Sequence, residues 1–211
     1  MTTRKPLGLL IALVPPLVVL AACAGPPSSP GPALTSEPPP IAAGVASPAG
    51  TYGDIDVLDY DIEITLPAPG GTVIQGEVGL TFMVTRPGVA ATTLDFTGLA
   101  VVETRLDGSM VDASMVDGRL TIPLPNGVGT DDTLSLVVAY RGTPDDGLIL
   151  RTNVHGRPAA FVDNWPNRTR FWLPSVDHPS DKATASVTIH APEAWGVVAT
   201  GTLQERSRIH I

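Results

Sequence analysis

From Thr51 onward, apolar and polar residues alternate with a period of two, the spacing at which successive side chains reach opposite faces of a sheet. Ile62, Ile64 and Leu66 share one face while Asp61, Glu63 and Thr65 share the other, so a half-buried strand is expected. Pro69-Gly70-Gly71 then turns the chain into a second alternating run over 73–85, with Val78, Leu80 and Phe82 set against Glu77, Gly79 and Thr81. The two runs predict an antiparallel hairpin. Further strands are expected at 92–96, 101–106, 119–122, 134–140, 148–151, 159–162, 185–190 and 197–200. Turn-forming pairs separate nearly all of them: Pro87-Gly88, Asp107-Gly108, Asp117-Gly118, Asn126-Gly127, Arg141-Gly142 and Asp146-Gly147. Residues 51–203 therefore read as one all-β domain, an antiparallel sandwich or a curved pair of sheets.

The first fifty residues are patterned differently. Arg4 and Lys5 precede an apolar run from Leu7 to Leu20, and Leu20-Ala21-Ala22 leads into Cys23, the only cysteine. A single thiol excludes an internal disulfide and a Cys-rich zinc site. The arrangement resembles a bacterial lipoprotein signal, in which cleavage before the cysteine makes it the lipidated N-terminus. That resemblance implies a signal peptide over 1–22, lipid on Cys23, and an exported protein whose partner is the membrane of the bacterial cell envelope. An ordinary secretory signal is the plainer alternative. A spanning helix would need roughly 20 apolar residues, and Pro15-Pro16 interrupts this shorter run. Residues 23–50, rich in Pro, Ser, Gly and Ala with Glu37 as the only charge, read as a disordered tether.

Composition narrows the function classes. Thirteen Lys and Arg against 21 Asp and Glu give a net charge of -8, which leaves no basic surface for a nucleic-acid backbone. With 21 Gly and 22 Pro the chain is broken too often for long helices, while 43% hydrophobic residues supply a core.

The stretch over 161–182 reads F-V-D-N-W-P-N-R-T-R-F-W-L-P-S-V-D-H-P-S-D-K. It is similar to the N-terminal β-domain of the aminopeptidase N family of zinc metallopeptidases, whose stretch runs roughly A-R-x-x-F-P-C-x-D-x-P-x-x-K-A. Thr169, Arg170, Leu173, Pro174, Ser175, Asp177, Pro179, Lys182 and Ala183 occupy those places. D-Y-D-I-E-I-T-L, L-V-V-A-Y-R-G and G-V-V-A-T-G resemble further strands of the same domain. The resemblance implies saddle-like curved sheets beside an active site, with a Gln or Glu ahead of the Arg binding the substrate's free amine. The places seven and five residues before Arg170 hold Asp163 and Trp165, so only Asp163 keeps a carboxylate able to pair with an amine. Asp163 also reads as part of a polar turn with Asn164 before Pro166. Arg170, Asp177 and Lys182 read as a structural ion-pair set, and Trp165 and Trp172 as residues that anchor the loop by packing.

The family's chemistry needs H-E-x-x-H with a further Glu for zinc, and G-x-M-E-N for the substrate amine; neither occurs in this sequence. His155, His178, His190 and His210 are too widely spaced for the local pair, and no G-x-S-x-G nucleophile is present. No metal ligand, catalytic residue or cofactor is therefore assigned to this chain, zinc belonging to the full-length family. Residues 204–211 depart from the resemblance and read as a truncation point. The first reading is a non-catalytic N-terminal domain that meets peptide substrate together with a missing catalytic domain. The alternatives are a surface lipoprotein binding a peptide, glycan or protein, and an enzyme built around Asp163, Asp177 and His178.

Overall fold

Alternating sequence becomes a strand only where a neighbour completes its hydrogen bonds. In the computed structural model, which describes residues 53–206, eleven segments find one. They are β1 (Ile55–Thr65), β2 (Ile74–Val84), β3 (Ala91–Asp95), β4 (Ala100–Leu106), β5 (Ser109–Met110), β6 (Ser114–Val116), β7 (Arg119–Pro123), β8 (Thr133–Gly142), β9 (Leu148–Thr152), β10 (Pro158–Val162) and β11 (Thr184–His190). The signal, Cys23 and the tether lie outside the described residues, as does the tail beyond Arg206.

A six-stranded sheet runs in the order β11-β1-β2-β8-β4-β5, a three-stranded sheet in the order β3-β7-β6, and β9 and β10 form a separate hairpin. Val78, Leu80 and Phe82 of β2 and Leu136 and Val138 of β8 share one apolar core with Leu94 of β3 and Leu120 and Ile122 of β7. Phe96, just past β3, packs edge-on against Tyr140 of β8, ring centroids 5.2 Å apart. At roughly 1.5–3 kcal/mol for each large apolar side chain fully buried, this core outweighs any surface polar contact. The opposite face of the six-stranded sheet stays polar: Asp61 and Glu63 of β1, Glu77 of β2 and Arg141 of β8 are exposed.

Two bulges adjust the alternation. Leu58 is an extra residue in β1, because Val57 pairs with Phe82 and Asp59 with the next position, Thr81. Buried positions accordingly switch from the odd Val57 to the even Ile62 and Ile64. A similar irregularity in β4, between Val101 and Glu103, leaves Val102 exposed. Asp107-Gly108 and Asp117-Gly118 have positive φ at both residues, 47° and 78° and then 49° and 72°, the tight hairpin geometry that Asp-Gly favours.

The all-β class and the β1–β2 hairpin are as expected, with one exception to antiparallel pairing: β11 lies parallel to β1, Ile62 opposite Val187 and Ile64 opposite Ile189. Three expectations need correction. Residues 197–200 form no strand; Val198 is 97% exposed and no strand among the described residues pairs with this stretch, so its apolar, β-branched composition alone cannot order it. Arg141-Gly142 is the end of β8 and not a turn. β5 and β6, too short and exposed to show alternation, were not expected.

Candidate functional site: the segment over 161–182

Beyond Val162, the end of β10, this segment contains a single 3-10 turn, Thr169–Phe171, so its backbone groups must find partners one at a time. Thr97 N–H donates to Arg170 O at 2.9 Å. Five residues on, Asp95 and Ser175 exchange both backbone bonds, and Asp177 N–H donates to Asp95 Oδ2 at 3.1 Å. Val176 N–H donates to the Tyr60 hydroxyl at 3.1 Å, and Val57 N–H donates to Asp181 Oδ1 at 3.3 Å. The segment is thus fastened to β3 and then to β1.

Arg170 holds the middle of it. Its Nε donates to Asp177 Oδ2 at 3.0 Å and to Asn167 O at 3.1 Å, and Nη1 lies 3.4 Å from Asp95 Oδ1. The side chains of Asp95, Asp177 and Arg170 are 2%, 9% and 24% exposed, so the set is largely withdrawn from water. A planar fork of donors suits this place, because it can reach two carboxylates and a carbonyl at once. Burial pushes the Tyr60 hydroxyl up to about 12, against the bond from Val176, and the nearby charges of Asp181, Asp177 and Asp95 add to the rise.

Asp163 stands at the other end. Its Oδ2 is 3.0 Å from Arg168 Nη1, and its Oδ1 accepts only a long 3.4 Å bond from Trp165 N–H. Arg168 Nε also lies 3.4 Å from Asp146 Oδ2. Trp172 is buried and its Nε1 donates to Asn164 Oδ1 at 3.0 Å, so it anchors the loop as expected. Trp165 does not; it is 80% exposed.

The expected ion-pair set is therefore redrawn. Arg170 and Asp177 meet, but the third member is Asp95 from β3, and Lys182 is exposed with no ion pair to a described residue. Asp163, Asp177 and His178 are engaged by different partners: Arg168, Arg170 and, for His178 Nδ1, Ser180 Oγ at 2.7 Å. Asp95, Arg168, Tyr60 and Asp181 were missed in sequence. Only Asp95 carried a signal, a carboxylate inside the apolar run Leu94-Asp95-Phe96, where burial demands a cation.

Fold and segment together define the β-domain class that the segment's sequence resembles. The Peptidase M1 N-terminal domain matches residues 57–209. Among solved structures the chain is similar to the M1 zinc metallopeptidase from Deinococcus radiodurans, 30% identical over 74% of this chain and 37% of that one, with a TM-score of 0.59. A mutant of that organism's M1 zinc metallopeptidase bound to a Tyr-Ser-Ala substrate is 31% identical over 72% of this chain and 37% of that one, at a TM-score of 0.56. Leukotriene A4 hydrolase from Saccharomyces cerevisiae shares the fold, 23% identical over 68% of this chain and 24% of that one, at a TM-score of 0.59. No curated protein matches the chain. The chain belongs to the M1 peptidase family, as its N-terminal domain, and spans about a third of the Deinococcus structures it matches.

The residues present do not fit the family's zinc. H-E-x-x-H is not in the sequence, and among the described residues no three His, Cys, Asp or Glu gather closely enough to hold a metal.

Proposed function

We propose that this chain supplies the N-terminal β-domain of an exported M1 peptidase, held to the bacterial envelope by lipid on Cys23, and hydrolyses no peptide by itself. The match to the N-terminal domain over 57–209, in a sequence without H-E-x-x-H, carries this reading. Zinc and the activation of water then belong to a catalytic domain beyond these residues. The core and the Arg170 set give that domain a rigid flank, and the loop from Asp163 to Trp165 is the part that reaches toward the peptide. Because Arg168 already neutralises one oxygen of Asp163, a peptide amine would be met by Oδ1, which only the long Trp165 bond engages. The relative bound to Tyr-Ser-Ala supports a short peptide as the ligand class.

The test is turnover of aminoacyl-anilide substrates by the purified chain, with and without added zinc. No turnover is expected. Zinc-dependent turnover that a chelator abolishes, in a preparation free of host peptidases, would overturn the reading.

A further inference from the structure

Asp56 and Asp181 stand apart from the rest of the network. Asp181 lies on the far end of the 161–182 segment, and its Oδ1 accepts the Val57 N–H beside the bulge in β1. Its Oδ2 is shut off from solvent and has no hydrogen-bond donor. The group facing it is another carboxyl, that of Asp56. A buried acceptor turned toward a second acceptor costs free energy twice, through lost solvation and through like-charge repulsion. One proton removes both penalties, because a protonated Asp181 becomes a donor to Asp56.

The surrounding charges do not relieve the pair. The groups that act on Asp181 come from β1, namely the Val57 N–H and the Asp56 carboxyl, and Tyr60 of the same strand lies close enough to feel the charge of Asp181 together with those of Asp177 and Asp95. Arg170 of the segment is taken up by Asp95 and Asp177. Neither Asp56 nor Asp181 forms an ion pair with a described residue.

We propose that Asp181 keeps a proton and donates it to the Asp56 carboxyl as an acid-set clasp, fastening the end of the segment to β1 in mildly acidic surroundings and slackening when Asp181 ionises. Burial pushes Asp181 up to about 6 from its ordinary 3.8, against the bond from Val57, and the Asp56 carboxyl adds to the rise. A carboxyl raised in the folded state binds its proton more tightly there than in the unfolded chain. The clasp therefore contributes most below about pH 4 and is lost as pH rises through 6. The region it fastens is the one that carries Arg170 and leads back to Asp163.

The experiment is amide hydrogen exchange at Val57, corrected for the intrinsic rate, in the full chain at pH 5 and pH 7.5. Wild-type protection is expected to fall about tenfold across this range, the change that one unit of pKa brings in an equilibrium. Asp181→Asn, whose amide donates to Asp56 at every pH, is expected to hold protection constant. Asp56→Asn removes the like charge and offers Asp181 an amide donor, so it is expected to shrink the same pH dependence to the part that burial causes, and it serves if the first variant does not fold. Wild-type protection that does not change with pH would sink the proposal. So would a dependence surviving undiminished in both variants, because it would then belong to the histidines.

Discussion

Asp95 and Ser175 exchange both of their backbone hydrogen bonds, at 2.8 and 3.1 Å, so that a residue of the irregular segment completes the end of β3 as a strand would. The same Asp95 offers its side chain to Asp177 N–H and to Arg170. One residue therefore fixes the segment through both backbone and carboxylate, two residues apart. Segments of this length without regular structure are commonly the mobile part of a domain; here the contacts give it the rigidity of the sheet.

Arg170→Ala is expected to destabilise the domain by about 2–4 kcal/mol, because it leaves the buried Asp95 and Asp177 carboxylates without their cation. Denaturant unfolding measures it. A loss under about 1 kcal/mol, the range of an exposed pair, would show that water compensates the two carboxylates.

Gly147→Ala is expected to cost on the order of 1–3 kcal/mol through overpacking. Gly147 has φ of 73°, and an added Cβ would stand 2.1 Å from the Arg168 carbonyl oxygen. The loop must shift to make room, which moves Arg168 away from Asp163. Thermal melting reads the loss, and a variant that melts with the wild type would place the loop elsewhere.

Tyr60→Phe removes the acceptor of the Val176 N–H, and the stranded donor is expected to cost about 1–3 kcal/mol. Its titration gives a second check. Burial raises Tyr60 to about 12 and raises Tyr140 as well, so both phenols stay protonated in the folded state at pH 10. Unfolded tyrosines release their protons near 10, so stability falls as pH climbs above that value toward 12. Absorbance titration of the native protein should show the phenolate signal of these two residues only well above pH 10. Their ionisation at pH 10 with the fold intact would contradict the burial described.

Cys23→Ser is expected to move the protein from the detergent phase to the aqueous phase in detergent partitioning, because the lipid would have no sulfur to occupy. Equal recovery of both proteins in the aqueous phase would remove the envelope anchor from the proposed function.

Strands that both alternate and pair with a neighbour were legible, which is why β1, β2, β7 and β8 were expected close to where they lie. The stretch over 197–200, Val-Val-Ala-Thr, has the apolar, β-branched composition of a strand and forms none, because the bonds that would hold it must come from another segment. The parallel contact of β11 with β1 had no local signature, since the two strands are more than a hundred residues apart and no turn joins them directly. At the site, Arg170 and Asp177 could be paired from their spacing within one motif. Asp95 could not be joined to them, because 75 residues separate it from Arg170 in sequence and only the packing of β3 brings it there. Lys182 was expected in the set by its charge and proximity, but the end of the segment turns it outward to solvent.

Leu58 is one residue more than the sheet requires. Without it, Val57 opposite Phe82 and Asp59 opposite Thr81 would be consecutive pairs of an unbroken ladder. The irregularity sits where Val57 N–H is given to Asp181, so a smoother β1 would leave the loop without its last mooring. At this point regularity of the sheet and attachment of the loop compete for the same backbone group. A shortened variant lacking Leu58 should therefore keep its core while the end of the loop at Asp181 comes adrift, which makes this bulge the place where the domain's architecture and the attachment of that loop end can be separated by a single residue.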